Sequence, residues 1–308
     1  MKRETTVLLA LIGLLGIIAL LAPSFFRAAN LRDIVLANVP VLIAAIGMTL
    51  VILIRQIDVS IGAQFAVCGI MAGLLAKAGL PMPLVALGSI GMGALLGSFN
   101  ALLIAAAKLP SIVVTLAAMA VLRDAIRWST GGAWIEGLPS YFQWFGFSQA
   151  GGEWLIALIA VVALSAAAWG LRFLSAGRAV YATGSQAEAA RLSGIDVRAV
   201  TFSVFVCMGA LAGLAALVEN VRFSQIQSNS GMGFELKVIA AVVVGGTSIN
   251  GGRGSVWGTL LGVAILGVIG PALTFLGVNA FWEKAIQGAI ILAAVVMDAV
   301  LARRARRA

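Results

Sequence analysis

Long apolar runs separated by short polar loops fill the chain from one end to the other. The runs at 7–22 and 154–170 approach or reach the length of a bilayer-spanning helix, and similar runs recur to the C-terminus. The pattern predicts about ten membrane segments, roughly at 7–22, 34–54, 60–76, 84–107, 111–127, 154–171, 200–219, 235–250, 255–275 and 282–302. Two of them are irregular. Pro40 interrupts the second, and the eighth is short, so broken or re-entrant helices are expected, covered by protein or a water-filled cavity. The first run is followed by Leu21-Ala-Pro-Ser-Phe-Phe, which lacks a small-residue cleavage site and reads as a retained helix. The fold class expected is an all-α polytopic membrane protein of one domain, residues 1–308.

One polar stretch, 172–198, reads as a built object. Ser185 precedes Glu188 by three residues, the spacing of a capping box. Ala187, Ala189, Ala190, Arg191 and Leu192 suit a helix, and Gly194 supplies its stop. The loop is either a docking surface or an ordinary capped surface helix.

Composition supports the membrane reading. The chain is 61% hydrophobic and 11% charged, against roughly a quarter charged in soluble domains. Its net charge of +9 is explained by loops on the cytoplasmic side and does not call for nucleic acid. With the N-terminus inside, 13 of the 21 Lys and Arg fall on the inner side and 8 on the outer, which favours N-in and C-in. The tail Arg303-Arg-Ala-Arg-Arg307 is the strongest vote and a headgroup anchor. The loop 172–198 is then cytoplasmic. The loop 128–152, rich in Trp and Phe, is external, as an interface belt or a surface for an external partner.

The chemistry is narrow. Histidine is absent, which removes Ser-His hydrolysis, His-ligated metal and His-bound haem. No G-x-x-x-x-G-K-[ST] loop occurs, so any ATP use belongs to a partner chain. No cofactor is expected. Cys68 and Cys207 lie in apolar runs as small buried hydrophobes. Asp58, beside the membrane core, is expected to pair with Arg55 across a helix break near the inner face, with substrate contact as the other reading. Gln64, Asn100, Arg123, Asp124, Glu219 and Asn220 are further candidates for pathway or structural polar groups, as are Arg222, Glu235 and Lys237. Arg123 and Asp124, adjacent in sequence, face different sides of their helix. Gly245, Gly246, Gly251 and Gly252 suggest a broken helix and tight turn with close packing.

Several stretches resemble one family. Glu188-Ala-Ala-Arg-Leu-Ser-Gly194 resembles the E-A-A-x-x-x-G coupling motif of permease subunits of bacterial ATP-binding-cassette (ABC) importers. Residues 236–262 and Ile57-Asp-Val-Ser-Ile-Gly62 are similar to the sugar-importer permeases of the ribose, xylose, rhamnose and autoinducer-2 group. Leu109-Pro-Ser-Ile-Val-Val-Thr-Leu116, residues 130–139 and residues 281–288 extend the resemblance over about 30–300, the last two on the autoinducer-2 and rhamnose side. The resemblance implies an inner-membrane import permease that does no bond chemistry. It implies two cytoplasmic ATPase subunits docked at 185–194, a second permease, identical or homologous, a periplasmic solute-binding protein, and surrounding lipid. Within the loop, Ser185, Glu188 and Gly194 would shape the helix, while Arg191 and Leu192 would touch the ATPase. Branched-chain amino-acid permeases are a related alternative. An ion-coupled secondary transporter is a more distant one, since most charges lie at segment ends.

Overall fold

The computed structural model describes residues 3–279, 282–290, 292, 293 and 296. Among these residues the chain is all-helical without strands, and its one extended pairing is the isolated bridge between Ile135 and Ile226. The helices are α1 (Arg3–Leu21), α2 (Ala28–Leu53), α3 (Ile61–Lys77), α4 (Met82–Ala101), α5 (Ser111–Thr130), α6 (Gln149–Phe173), α7 (Ser175–Ser185), α8 (Ala187–Leu192), α9 (Val197–Asn220), α10 (Phe234–Val244) and α11 (Val256–Phe275). A π turn at Leu102–Ala106 ends α4. Residues 282–290 are helical too; most of the rest of the expected tenth segment, and the basic tail, lie outside the described residues.

Among the described residues six helices are long and apolar enough to cross a membrane: α1, α2, α4 with its π turn, α6, α9 and α11. The apolar helix α3 is shorter, and α10 has only 11 residues. The expected segment 235–250 is therefore half helix and half turn. Pro40 does not interrupt α2, which runs through it without a break. A proline leaves the carbonyl four residues earlier without its helical donor. That carbonyl is Leu36 O, and the Arg222 guanidinium donates to it at 3.4 Å.

The core centres on α2, which packs on α6, α9, α10 and α11. Lipid tails offer no hydrophobic drive between helices, so close approach of small residues holds such bundles together. At the α4–α9 crossing Gly93, Gly97, Gly209 and Gly213 face each other. A Cβ on Gly93 would lie 2.8 Å from the Gly209 carbonyl carbon, and the converse distance is the same. Ser89 Oγ donates to Gly213 O at 2.9 Å in that seam. α10 and α11 form a hairpin closed by Gly245, Gly258 and Gly262; a Cβ on Gly262 would stand 2.8 Å from Gly245 N.

The bundle has two ends. Arg55, Lys108, Ser185 and Glu188 gather at one, here called basal. At the other, Lys77 Nζ donates to Glu136 O at 2.9 Å and Arg32 pairs with Glu153 at 3.5 Å. Both cysteines are free. Cys68 is buried, whereas Cys207 is exposed, because it falls on the outward face of α9 and not, as expected, in the core.

Candidate functional site

At the basal end three chain segments meet without room for side chains. Gly252 N donates to Leu53 O at 2.9 Å, which ties the glycine turn after α10 to the end of α2. A Cβ on Gly184, in α7, would stand 2.7 Å from the Leu53 carbonyl carbon, closer still to its oxygen, and 2.8 Å from Gly252 N. Gly246, Gly251 and Gly252 take φ of +91°, +73° and +70°, a region open to glycine at little cost; Gly245 is αR and ends α10. Arg55 itself has φ +63°. That turn aims its guanidinium at α7, where Nη2 donates to Ser185 O at 2.5 Å. The expected Arg55–Asp58 pair is thus absent, because the two side chains leave the helix break in different directions.

Asp58 instead sits fully buried in a hydrogen-bonded cluster. Its Oδ1 accepts from Ser60 N at 2.9 Å and Ser60 Oγ at 2.5 Å, and its Oδ2 from Gln64 Nε2 at 3.2 Å. Asn100 Nδ2 donates to Ser60 Oγ at 2.9 Å, which joins α4 to the start of α3. Three of the expected polar residues, Asp58, Gln64 and Asn100, therefore meet at one point. Ser111 Oγ and Thr115 Oγ1 on α5 accept from Ile57 N at 3.3 Å and Val59 N at 3.2 Å. These two hydroxyls were missed as functional candidates, although Leu109-Pro-Ser-Ile-Val-Val-Thr carries them.

α8 projects from the junction. Ala187, Glu188, Ala189, Arg191, Leu192, Ser193 and Gly194 are exposed and Ala190 is buried. The expected capping box does not form. Ser185 closes α7, and Gln186, with extended backbone, is the N-cap of α8 without a side-chain cap bond. Glu188 instead pairs with Arg191 at 2.6 Å, and this hydrogen bond pushes the Arg191 guanidinium above its ordinary pKa. Gly194, at φ +82°, ends the helix: its N–H donates to Arg191 O and that of Ile195 to Ala190 O, both at 3.0 Å. Beside α8 lies a cleft of about 640 Å³ bordered by Gln56, Lys108, Glu188, Arg191 and Arg198.

Higher in the bundle, residues 221–233 form a strap without helix that runs back along α3. Ile226 faces Gly73, and Gly231 O faces Gly62. Those glycines are eleven residues apart on α3, about 16 Å at 1.5 Å per residue. Asn220, at the strap's beginning, is buried against Gly69 and donates to Ala216 O at 2.7 Å. Glu219 pairs with Arg222 at 3.1 Å. At the strap's inner end Arg123 donates from Nη1 to Ser230 O and from Nη2 to Gly231 O, both at 2.6 Å. Asp124 points elsewhere, exposed and 4.0 Å from Arg127.

Three cavities abut the strap. One of about 460 Å³ is bordered by Arg123, Trp134, Asn229, Met232, Gly233 and Glu235. A second, about 240 Å³, is bordered by Glu219, Asn220, Gln225, Gln227 and Ser230. The third, about 760 Å³, touches Phe65, Glu219, Ser230, Gly231, Met232 and Lys237. Ser230 borders the second and third of these, and Met232 and Gly233 border the first and third. Amides, hydroxyls and a few charges border this space together with apolar side chains such as Phe65, Met119 and Met232.

Residues 30–295 match the family described as the permease component of branched-chain amino acid transport systems. The chain belongs to this family. The permease is 34% identical over 297 residues to the autoinducer 2 import system permease protein LsrC of Escherichia coli (strain K12 / DH10B), covering 96% of this chain and 87% of that one. LsrC of Enterobacter sp. (strain 638) matches with the same identity and coverage. The ribose import permease protein RbsC of Escherichia coli (strain K12) is 35% identical over 299 residues, 96% of this chain and 93% of that one. No solved structure matches it. The permease is thus a multi-pass inner-membrane transport subunit of an ABC importer. Separate ATPase subunits hydrolyse ATP, and a substrate-binding protein completes the system.

Proposed function

We propose that the permease conducts a sugar or sugar-like solute of the autoinducer-2 or rhamnose type, along the cavities that meet at the strap. The observation carrying this reading is the strap itself. Irregular backbone at membrane depth is tolerated where protein covers it or where it lines water, and here three cavities lie against it. The similarity to permeases named for autoinducer 2 and ribose supports the sugar class over branched-chain amino acids. The basal end is cytoplasmic and the chain crosses the membrane about ten times, N-in and C-in, with strap and α10 together counted as one crossing. The charge bias supports this orientation. Two ATPase subunits dock on α8 of two permeases, with Arg191 and Leu192 as contacts. The second permease, identical or homologous, covers the outward face of α5, where Leu116, Ala120 and Val121 are exposed beside Asp124. An exposed Asp124–Arg127 pair on an apolar helix is costly against lipid and suits a wet protein interface. Lipid covers α1 and α6, which are little buried in the bundle.

The test is co-purification with the ATPase and binding protein, then ATPase stimulation in proteoliposomes over pentoses, 6-deoxyhexoses, autoinducer 2 and leucine. Stimulation by a sugar-type solute is expected; stimulation by leucine alone overturns the substrate class. Glu188→Arg and Gly194→Val should uncouple hydrolysis from transport. Full coupling in both variants removes the role assigned to α8.

A further inference from the structure

Two chains of contacts lead from the basal junction to the strap, and they end on opposite sides of one interaction. The first runs from Ser185 through Arg55 to the 54–60 break, then through Ser111 and Thr115 into α5 and up to Arg123. The second runs from Gly252, bonded to Leu53 O, through the glycine turn and α10 to Gly231. Any shift of the junction that moves α5 against α10 acts on the Arg123 bonds to Ser230 O and Gly231 O. Hydrogen bonds from a guanidinium are the strong kind, so this contact is a fastening of consequence. The carbonyls it holds, at Ser230 and Gly231, border the cavity on the α2–α10 side and lead directly into Met232 and Gly233, which separate that cavity from the one on the α5 side.

A second resting place for the guanidinium is present. Glu235 and Arg123 both face the space over Gly62, and Glu235 Oε2 is buried without a hydrogen-bond partner. Only glycine at position 62 admits these groups: a Cβ there would collide with Glu235 Oε2 and stand 2.5 Å from Gly231 O and 3.3 Å from Arg123 Nη2. Arg123 thus has two acceptor sets at hand, the strap carbonyls that it holds and the unpartnered Glu235 carboxylate oxygen beside it.

We infer that Arg123 is the latch of a gate made by residues 228–233, closed while the guanidinium holds Ser230 O and Gly231 O and opened when it transfers to Glu235. Opening joins the cavities on the two sides of the strap, and displacement of the junction by the ATPases drives the transfer. Arg123 is a positioning residue here: it sets the strap and need not touch solute. The assignment rests on the importer reading given above.

The experiment uses the full complex in proteoliposomes, with Cys68→Ala and Cys207→Ala and a single reporter Asn229→Cys labelled by a membrane-impermeant maleimide. In the parent, labelling should differ between nucleotide-free and ATP-bound states. Arg123→Gln should raise the nucleotide-free labelling rate and the passive efflux of trapped solute by about tenfold or more, the factor set by one lost hydrogen bond to a charged group. Arg123→Lys should fall between the two. Glu235→Gln should hold the ATP-bound labelling near the nucleotide-free rate and slow transport. Parental labelling and efflux in Arg123→Gln overturn the latch. If that variant fails to assemble, Glu235→Gln decides, and a parental response to ATP there overturns it equally. Failure of the parent complex to transport with ATP would instead strike the importer reading, so the two failures are distinguishable.

Discussion

Replacing Gly184 with alanine adds one methyl group at the point where α7, α2 and the glycine turn touch. Its Cβ would stand 2.7 Å from the Leu53 carbonyl carbon and 2.8 Å from Gly252 N. Non-bonded carbons settle at about 3.5–4.0 Å, and the Leu53 oxygen lies closer still, so the segments must part by more than about 1 Å. The Gly252 N–Leu53 O bond of 2.9 Å and the Arg55–Ser185 O bond of 2.5 Å span the same gap. Overpacking of this sort costs about 1–3 kcal/mol. Weakening a neutral and a charged hydrogen bond adds about 1–3 kcal/mol. Gly184→Ala should therefore lose about 2–6 kcal/mol from the junction. In detergent, the thermal unfolding midpoint should fall while helix content by circular dichroism is kept. In the reconstituted complex, solute transported per ATP should fall more than ATP hydrolysis does. An unchanged midpoint together with unchanged transport per ATP would refute the three-way contact and its part in coupling.

Gly209→Ala should separate α4 from α9 and cost about 1–3 kcal/mol, read as a lower midpoint. Because Gly93 makes the reciprocal contact, the double variant Gly93→Ala/Gly209→Ala should cost less than the sum of the singles. Asp58→Asn keeps an oxygen for Ser60 and should fold, with reduced stability. Asp58→Leu strips the acceptor from Ser60 N and Ser60 Oγ and leaves Gln64 Nε2 only its bond to Ser60 Oγ at 2.8 Å, at about 1–3 kcal/mol for each buried donor left unpaired, and should abolish accumulation of folded protein in the membrane. Folded Asp58→Leu at parental levels would contradict the cluster.

The long helices were legible because a bilayer demands uninterrupted apolar runs, and α1, α2, α6, α9 and α11 satisfy that demand in sequence alone. The strap was not. Arg222-Phe-Ser-Gln-Ile-Gln-Ser-Asn-Ser-Gly-Met-Gly233 has the composition of a solvated loop, and only its contacts with Gly62 and Gly73 of α3 place it inside the bundle. Arg55 and Asp58 were matched because they are near in sequence and opposite in charge. The positive φ at Arg55 sends its side chain to α7, while Ser60 and Gln64 satisfy the carboxylate locally. Pro40 was read as a break because its missing N–H leaves a carbonyl unpaired. The partner that takes that carbonyl, Arg222, lies 186 residues away, beyond any local pattern. Ser185 and Glu188 have capping-box spacing, but the extended backbone at Gln186 cuts the box between them.

The Arg123 contact also bears on how the chain is made. Its carbonyl partners lie 107 and 108 residues downstream. At about 5–20 residues per second of synthesis, α5 waits roughly 5–20 s before they emerge. Throughout that interval a guanidinium in the outer half of α5 stands in a nascent bundle without its final acceptors. The Arg123 fastening therefore cannot form until the segment after α9 has been made. Ribosome pausing between residues 130 and 230 would lengthen that exposure and lower the yield of assembled permease.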